Sequence, residues 1–88
     1  MRENASMVEF RELYDRQIRR VYKLALLLLG SVVDAEDVAQ TVFLKIWEKN
    51  PKFRDADHET AWVLTTTRNQ CRDLQKSFYR KHRTAIED

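Results

Sequence analysis

Gly30 and Pro51 are the only glycine and the only proline in this 88-residue chain, and they divide it into three long stretches without a breaker. These two residue types most readily end helices and start turns. A chain with one of each has few places for the repeated reversals of a sheet. A Gly-rich phosphate loop cannot be built from it, and no repeat or low-complexity segment is present. The pattern predicts one all-α domain, a small bundle of three, or at most four, helices.

A first helix is predicted from Ser6, where Ser6 and Glu9 stand in the S-x-x-E relation of a capping box, to Gly30. Phe10, Leu13, Tyr14, Val21, Tyr22, Ala25 and Leu28 recur at three- and four-residue steps and form its inward stripe. Arg16, Arg19, Arg20 and Lys23 cluster elsewhere on it, as charges on a solvated face do. A second helix is predicted after Asp34 as N-cap, ending at Asn50-Pro51. Its inward side is Ala35, Val38, Ala39, Val42, Phe43, Ile46 and Trp47. At about 100° per residue, Asp37, Gln40, Thr41, Leu44 and Glu48 fall together on the opposite side. Leu44 is then either an ordinary exposed leucine or the apolar centre of a docking surface with a polar rim.

A third helix is predicted from near Glu59 to about Lys81, with Asp57 as cap and Val63, Leu64, Thr67, Cys71, Leu74 and Phe78 turned inward. Cys71 reads as a small core residue. The outer face carries Trp62, Thr65, Thr66, Asn69, Arg72, Asp73, Lys76 and Arg80. Formal charge is only +2 overall, from 16 basic and 14 acidic side chains, but residues 68 to 83 hold Arg68, Arg72, Lys76, Arg80, Lys81 and Arg83 against Asp73 alone. Cations spaced four apart among an aromatic ring, threonines and an asparagine suit a ligand with phosphates and flat bases. The alternative is that Trp62 packs under the preceding loop and the cations are merely hydrated. In that loop, residues 50 to 57, Phe53 either folds back as a plug or projects with Lys52 and Arg54 beside Trp62.

Other functions are poorly served by this composition. One cysteine makes no internal disulfide, and no Cys/His set has zinc-site spacing. His58 and His82 belong to no acid–base constellation, so no enzyme, metal or cofactor is expected. The apolar run from Leu24 to Gly30 is too short to span a bilayer and too far into the chain for a signal peptide. A cytoplasmic protein without membrane insertion is the expectation.

DAEDVAQTVFLKIWE at 34 to 48 and AWVLTTTRNQCRDLQK at 61 to 76 together resemble the sigma-factor family of bacterial transcription initiation, most closely the extracytoplasmic-function group. The first stretch is similar to that family's D-A-E-D-x-x-Q-x-x-F-x-x-x-W helix, the second to its W-hydrophobic-x-x-x-x-R-N-x-x-x-D segment. The likeness runs from about Phe10 to His82. The TTT at 65 to 67 departs from the family's aliphatic and alanine pattern. The resemblance implies a promoter-melting and minus-ten-recognition domain over residues 1 to 83, with an interdomain linker starting at 84 to 88. A helix-turn-helix domain that such factors carry is absent, so the chain reads as one region of a longer factor.

It further implies that the helix matching Asp34 to Glu48 docks on the beta-prime clamp coiled coil of core RNA polymerase. Asp37 and Gln40 fall on the family's contact positions, with Thr41, Leu44 and Glu48 beside them on the same face. Lys52, Phe53, Arg54, Trp62, Asn69, Arg72, Asp73 and Lys76 occupy the zone that captures an unstacked base of the non-template strand, and Thr66 and Arg80 share that face. An anti-sigma factor is a further implied partner. A duplex-DNA reader and a helical protein-binding module remain alternatives.

Overall fold

A computed structural model of the chain describes the backbone from Arg2 to Glu87 and the side chains of residues 6 to 78. Three helices follow one another: α1 Arg2–Leu29, α2 Val32–Lys49 and α3 Ala56–Glu87. A two-residue turn makes α1 and α2 antiparallel, and the ring pairs Phe10–Trp47 and Tyr14–Phe43 record that opposed register. α1 and α3 run parallel, since Arg16 meets Glu59 near one end and Leu28 meets Gln75 near the other.

The breakers act where expected, and the helix starts do not. Gly30 takes φ +66° and donates its N–H to the Leu26 carbonyl at 2.8 Å, closing α1. Asn50, also left-handed, closes α2 on the Ile46 carbonyl. By contrast α1 begins at Arg2, with Ser6 inside it, because nothing between them interrupts a helix. The cap of α2 is Ser31, whose Oγ accepts from the Asp34 N–H at 3.2 Å, so Asp34 instead places its charge in the first turn, toward the positive end of the helix dipole. The cap of α3 is Asp55, whose Oδ1 accepts from the His58 N–H at 2.8 Å. Asp57 lies within the first turn.

One core joins all three helices: Leu13, Val21 and Ala25 from α1, Ala35, Val38, Ala39, Val42, Phe43 and Ile46 from α2, and Val63 and Cys71 from α3. Each fully buried Val or Ile contributes about 1.5–3 kcal/mol relative to exposure. Four aromatic and aliphatic residues expected inward are more exposed. Trp47 is 47% exposed, because its ring meets Phe10 edge-on at the rim of the core. Tyr14 lies on the same rim against Phe43. Leu28 is at the end of α1, and Phe78 is 62% exposed where α3 runs past that end.

Two polar residues take core positions instead. Gln17 is almost fully buried, and Glu59 nearly so. Thr67 is also sealed, with its hydroxyl donating to the Val63 carbonyl at 2.8 Å, which lets TTT sit in a helix without leaving a buried hydroxyl unpaired.

Candidate nucleic-acid and docking surfaces

The loop between α2 and α3 is fixed from both of its ends. Behind it, Asn50 turns the chain out of α2. Ahead of it, Asp55 caps α3 while the His58 Nδ1 accepts from the Arg54 N–H at 3.0 Å. His58 is thus half of a reciprocal cap. Sequence analysis found it no acid–base partner and gave it no role, although its place three residues after Asp55 was a usable signal.

Phe53 is held by this frame. Its ring stands edge-on to His58 at 5.4 Å and to Trp62 at 5.8 Å, and both Phe53 and Trp62 pack partly against the core. The two expectations for the loop therefore merge: Phe53 folds back, and in doing so lies beside Trp62 with part of each ring still in solvent. Lys52 and Arg54 flank the pair and are exposed. From there α3 presents Asn69, Arg72, Asp73 and Lys76 to solvent, with Thr66 half-buried at the edge of the row. Arg80 lies outside the residues whose side chains are described. The result is two half-covered rings next to a line of cations and hydrogen-bonding groups.

On α2, Asp37, Gln40, Leu44 and Glu48 are exposed and Thr41 is half-buried, its hydroxyl turned back to the Asp37 carbonyl at 3.1 Å. Leu44, at 55% exposure, is the apolar centre of that row. Lys45 points sideways instead and donates to Gln70 of α3 at 2.9 Å.

Behind the loop, Arg16 grips Glu59 through two hydrogen bonds of 3.1 and 2.8 Å, and Gln17 Nε2 donates to Glu59 Oε1 at 2.8 Å and to Thr60 Oγ1 at 3.1 Å. The Arg16 bond holds the Glu59 carboxyl below its ordinary range; burial opposes this, and Gln17 adds to it. These residues line an open groove of about 1070 Å³ that Phe53 and Lys52 border from the loop. Gln17 and Glu59 were missed because only apolar positions were counted on the stripes, yet each falls four residues before a core valine. Cys71 is buried, and desolvation pushes its thiol upward. No group of three or more metal-ligating side chains occurs among the described residues, and no helix there is long and apolar enough to cross a membrane.

The chain matches the Sigma-70 region 2 family model over residues 13–84, a span that takes in both surfaces. It is 35% identical, over 68 residues, to proteins named ECF RNA polymerase sigma factor SigL from three strains of Mycobacterium tuberculosis. That alignment covers 76% of this chain and 38% of each relative, so the chain spans well under half of their length. No solved structure matches it. With both motif helices inside the matched span, the chain belongs to the Sigma-70 region 2 family, on the side of the extracytoplasmic-function sigma factors.

Proposed function

We propose that this region acts in transcription initiation by docking on core RNA polymerase and holding the melted minus-ten element of a promoter. The supporting observation is the Phe53–Trp62 ring pair, half-exposed at the start of α3 and followed by Asn69, Arg72 and Lys76. An unstacked non-template base rests against those rings while its phosphates follow the cations. Unstacking costs a few kcal/mol and base–aromatic stacking returns roughly 1–3 kcal/mol per base. The rings alone therefore barely balance the opening, and phosphate contacts supply the remainder.

Polymerase docking falls to the outer row of α2, with Asp37, Gln40, Thr41, Leu44 and Glu48 against the beta-prime clamp coiled coil. The role is non-enzymatic and cytoplasmic. An anti-sigma factor would act by covering either surface. Fluorescence anisotropy with the non-template strand, its duplex and a forked promoter tests the capture step, with tighter binding to strand and fork expected. Equal affinity for duplex and single strand overturns it. For docking, Asp37→Lys should abolish core-polymerase binding with thermal unfolding unchanged; retained polymerase affinity would remove α2 from the interface.

A further inference from the structure

Acidic side chains are missing from one long stretch of α1 and one of α3. No Asp or Glu occurs from Arg16 to Val33, and none from Thr60 to Arg72. α2 instead carries Asp34, Glu36, Asp37 and Glu48 against Lys45 and Lys49. The acid-free stretches of α1 and α3 are laid side by side. Arg16 pairs with Glu59 at a sequence offset of 43, and Gln75 Nε2 donates to the Leu28 carbonyl at an offset of 47. Interpolating between those two offsets brings Lys23 of α1 to about the level of Arg68 of α3.

Arg16, Arg20, Lys23 and Leu27 follow one edge of α1 at steps of three and four, so neighbours are about 5–6 Å apart. Arg68 and Arg72 stand seven and three residues before Gln75, which reaches Leu28 of α1, and so share its edge of α3. All four cations Arg20, Lys23, Arg68 and Arg72 are exposed. Arg20 donates only to neutral oxygens, the Arg16 carbonyl at 3.2 Å and Gln17 Oε1 at 3.4 Å. Among the described residues the one salt bridge is Arg16–Glu59; Arg20 feels the Glu59 carboxylate only at longer range, and Lys23, Arg68 and Arg72 have no salt-bridged carboxylate there. An unpaired row of one sign on a helical seam raises the local potential for anions. The exposed side chain among them is Leu27, 80% exposed, and not an aromatic ring. Among the described residues, such a surface can neutralise phosphates and offers no aromatic ring on which to stack a base.

We propose that the α1–α3 seam is a second nucleic-acid surface, on which Arg20, Lys23, Arg68 and Arg72 hold the sugar-phosphate backbone without reading sequence. It rests on the promoter-binding reading above and adds α1, to which that reading gives no role. Nucleic acid leaving the Phe53–Trp62 end can follow it along the bundle, through Arg72, which borders both surfaces.

The test compares the 88-residue chain with the double variant Lys23→Gln/Arg68→Gln, neither residue being among those assigned to base capture or polymerase docking. Binding to a labelled duplex and to a labelled single strand is followed by anisotropy over a salt series. Each neutralised phosphate contributes a log–log salt slope of about 0.9 on duplex and 0.7 on single strand, so the double variant should lose about 1.8 or 1.4 respectively. Loss on duplex alone assigns the seam to paired promoter; loss on the single strand alone assigns it to the displaced strand; loss on both assigns it to either form. Unchanged slopes on both probes overturn the proposal. Lys23→Arg/Arg68→Lys keeps the charges and should keep the slopes, and an equal loss there would also overturn it. Base capture is judged separately, by strand-over-duplex preference, so it can fail while the seam stands.

Discussion

Arg16 and Glu59, 43 positions apart in sequence, meet fork to fork: Nε to Oε1 at 3.1 Å and Nη2 to Oε2 at 2.8 Å. Gln17 grips Glu59 and Thr60 from the next position of α1. Two successive residues of α1 thus hold two successive residues of α3, within a turn or so of the Asp55 cap where the aromatic loop ends. The loop's ring pair is thereby referred to α1 as well as to the helix it precedes.

The two halves of this pair are unequal. The Glu59 side chain is 11% exposed and accepts three hydrogen bonds from two residues, whereas that of Arg16 is 53% exposed. Glu59→Ala removes both acceptors and leaves the buried Gln17 amide short of a partner, costing about 1.5–3 kcal/mol. For a domain of this size that is of order 10 °C in Tm. Arg16→Ala leaves Gln17 serving Glu59 and should cost no more than about 1 kcal/mol, as solvent screens a half-exposed cation. Thermal unfolding of both variants checks the order; a larger loss for Arg16→Ala would mean the guanidinium is the anchor.

The same carboxylate makes stability pH-dependent. Its pKa is lowered in the folded protein, chiefly by the Arg16 hydrogen bond. A depressed folded pKa contributes stability that is present above the unfolded value, about 4.3 for glutamate, and is lost as pH falls through the folded value. The stability gap between the parent chain and Glu59→Gln should therefore be steady near neutral pH and shrink on acidification below about pH 4.3. Urea midpoints across that range measure it. A gap that widens in acid would reverse the sign assigned to Glu59.

Gly30 isolates a backbone effect. Its φ of +66° is left-handed, and a Cβ added there meets nothing within 4 Å. Packing is thus neutral, and Gly30→Ala should cost only the left-handed penalty of about 1–2 kcal/mol. Gly30→Asn should cost less and Gly30→Val more, since asparagine tolerates this conformation and β-branched residues resist it. Denaturant midpoints of the three variants give the ranking; a neutral Gly30→Val would show that the turn relaxes.

The fold's outline was legible because its signals are local. Gly30 and Asn50-Pro51 end helices by backbone geometry alone, and the α2 stripe from Ala35 to Ile46 is buried as its spacing requires. Helix starts were harder, since Ser31, Asp34, Asp55 and Asp57 are all competent caps and tertiary contacts choose among them. Val32 and Val33 disguised the first turn of α2, being poor helix formers placed just after its true cap. The Gln17–Glu59 contact was illegible as a pair, because a buried polar residue is tolerated only beside a partner that the sequence places 42 positions away. Most outer residues of α2 and α3 were legible as exposed, Thr41 and Thr66 being half-buried, whereas the covering of Trp62 by Phe53 depended on how a polar loop turned.

The ring pair offers the sharpest functional test, because stacking and scaffolding can be separated there. Phe53 packs partly against the core but belongs to a loop closed by its own caps, so Phe53→Ala should keep the three helices with a modest loss of Tm while removing one face of the base site. Loss of one base stack, roughly 1–3 kcal/mol, weakens single-strand binding by roughly 5- to 150-fold. Duplex affinity should not change, since a paired base presents no free face to the ring. Trp62 also packs on the core, so Trp62→Ala mixes lost stacking with lost stability, while Trp62→Phe should retain the fold and much of the single-strand affinity. Anisotropy on strand and duplex, beside thermal unfolding of each variant, separates these effects. If Phe53→Ala weakens both probes equally, the ring acts through the shape of the loop and not by holding a base.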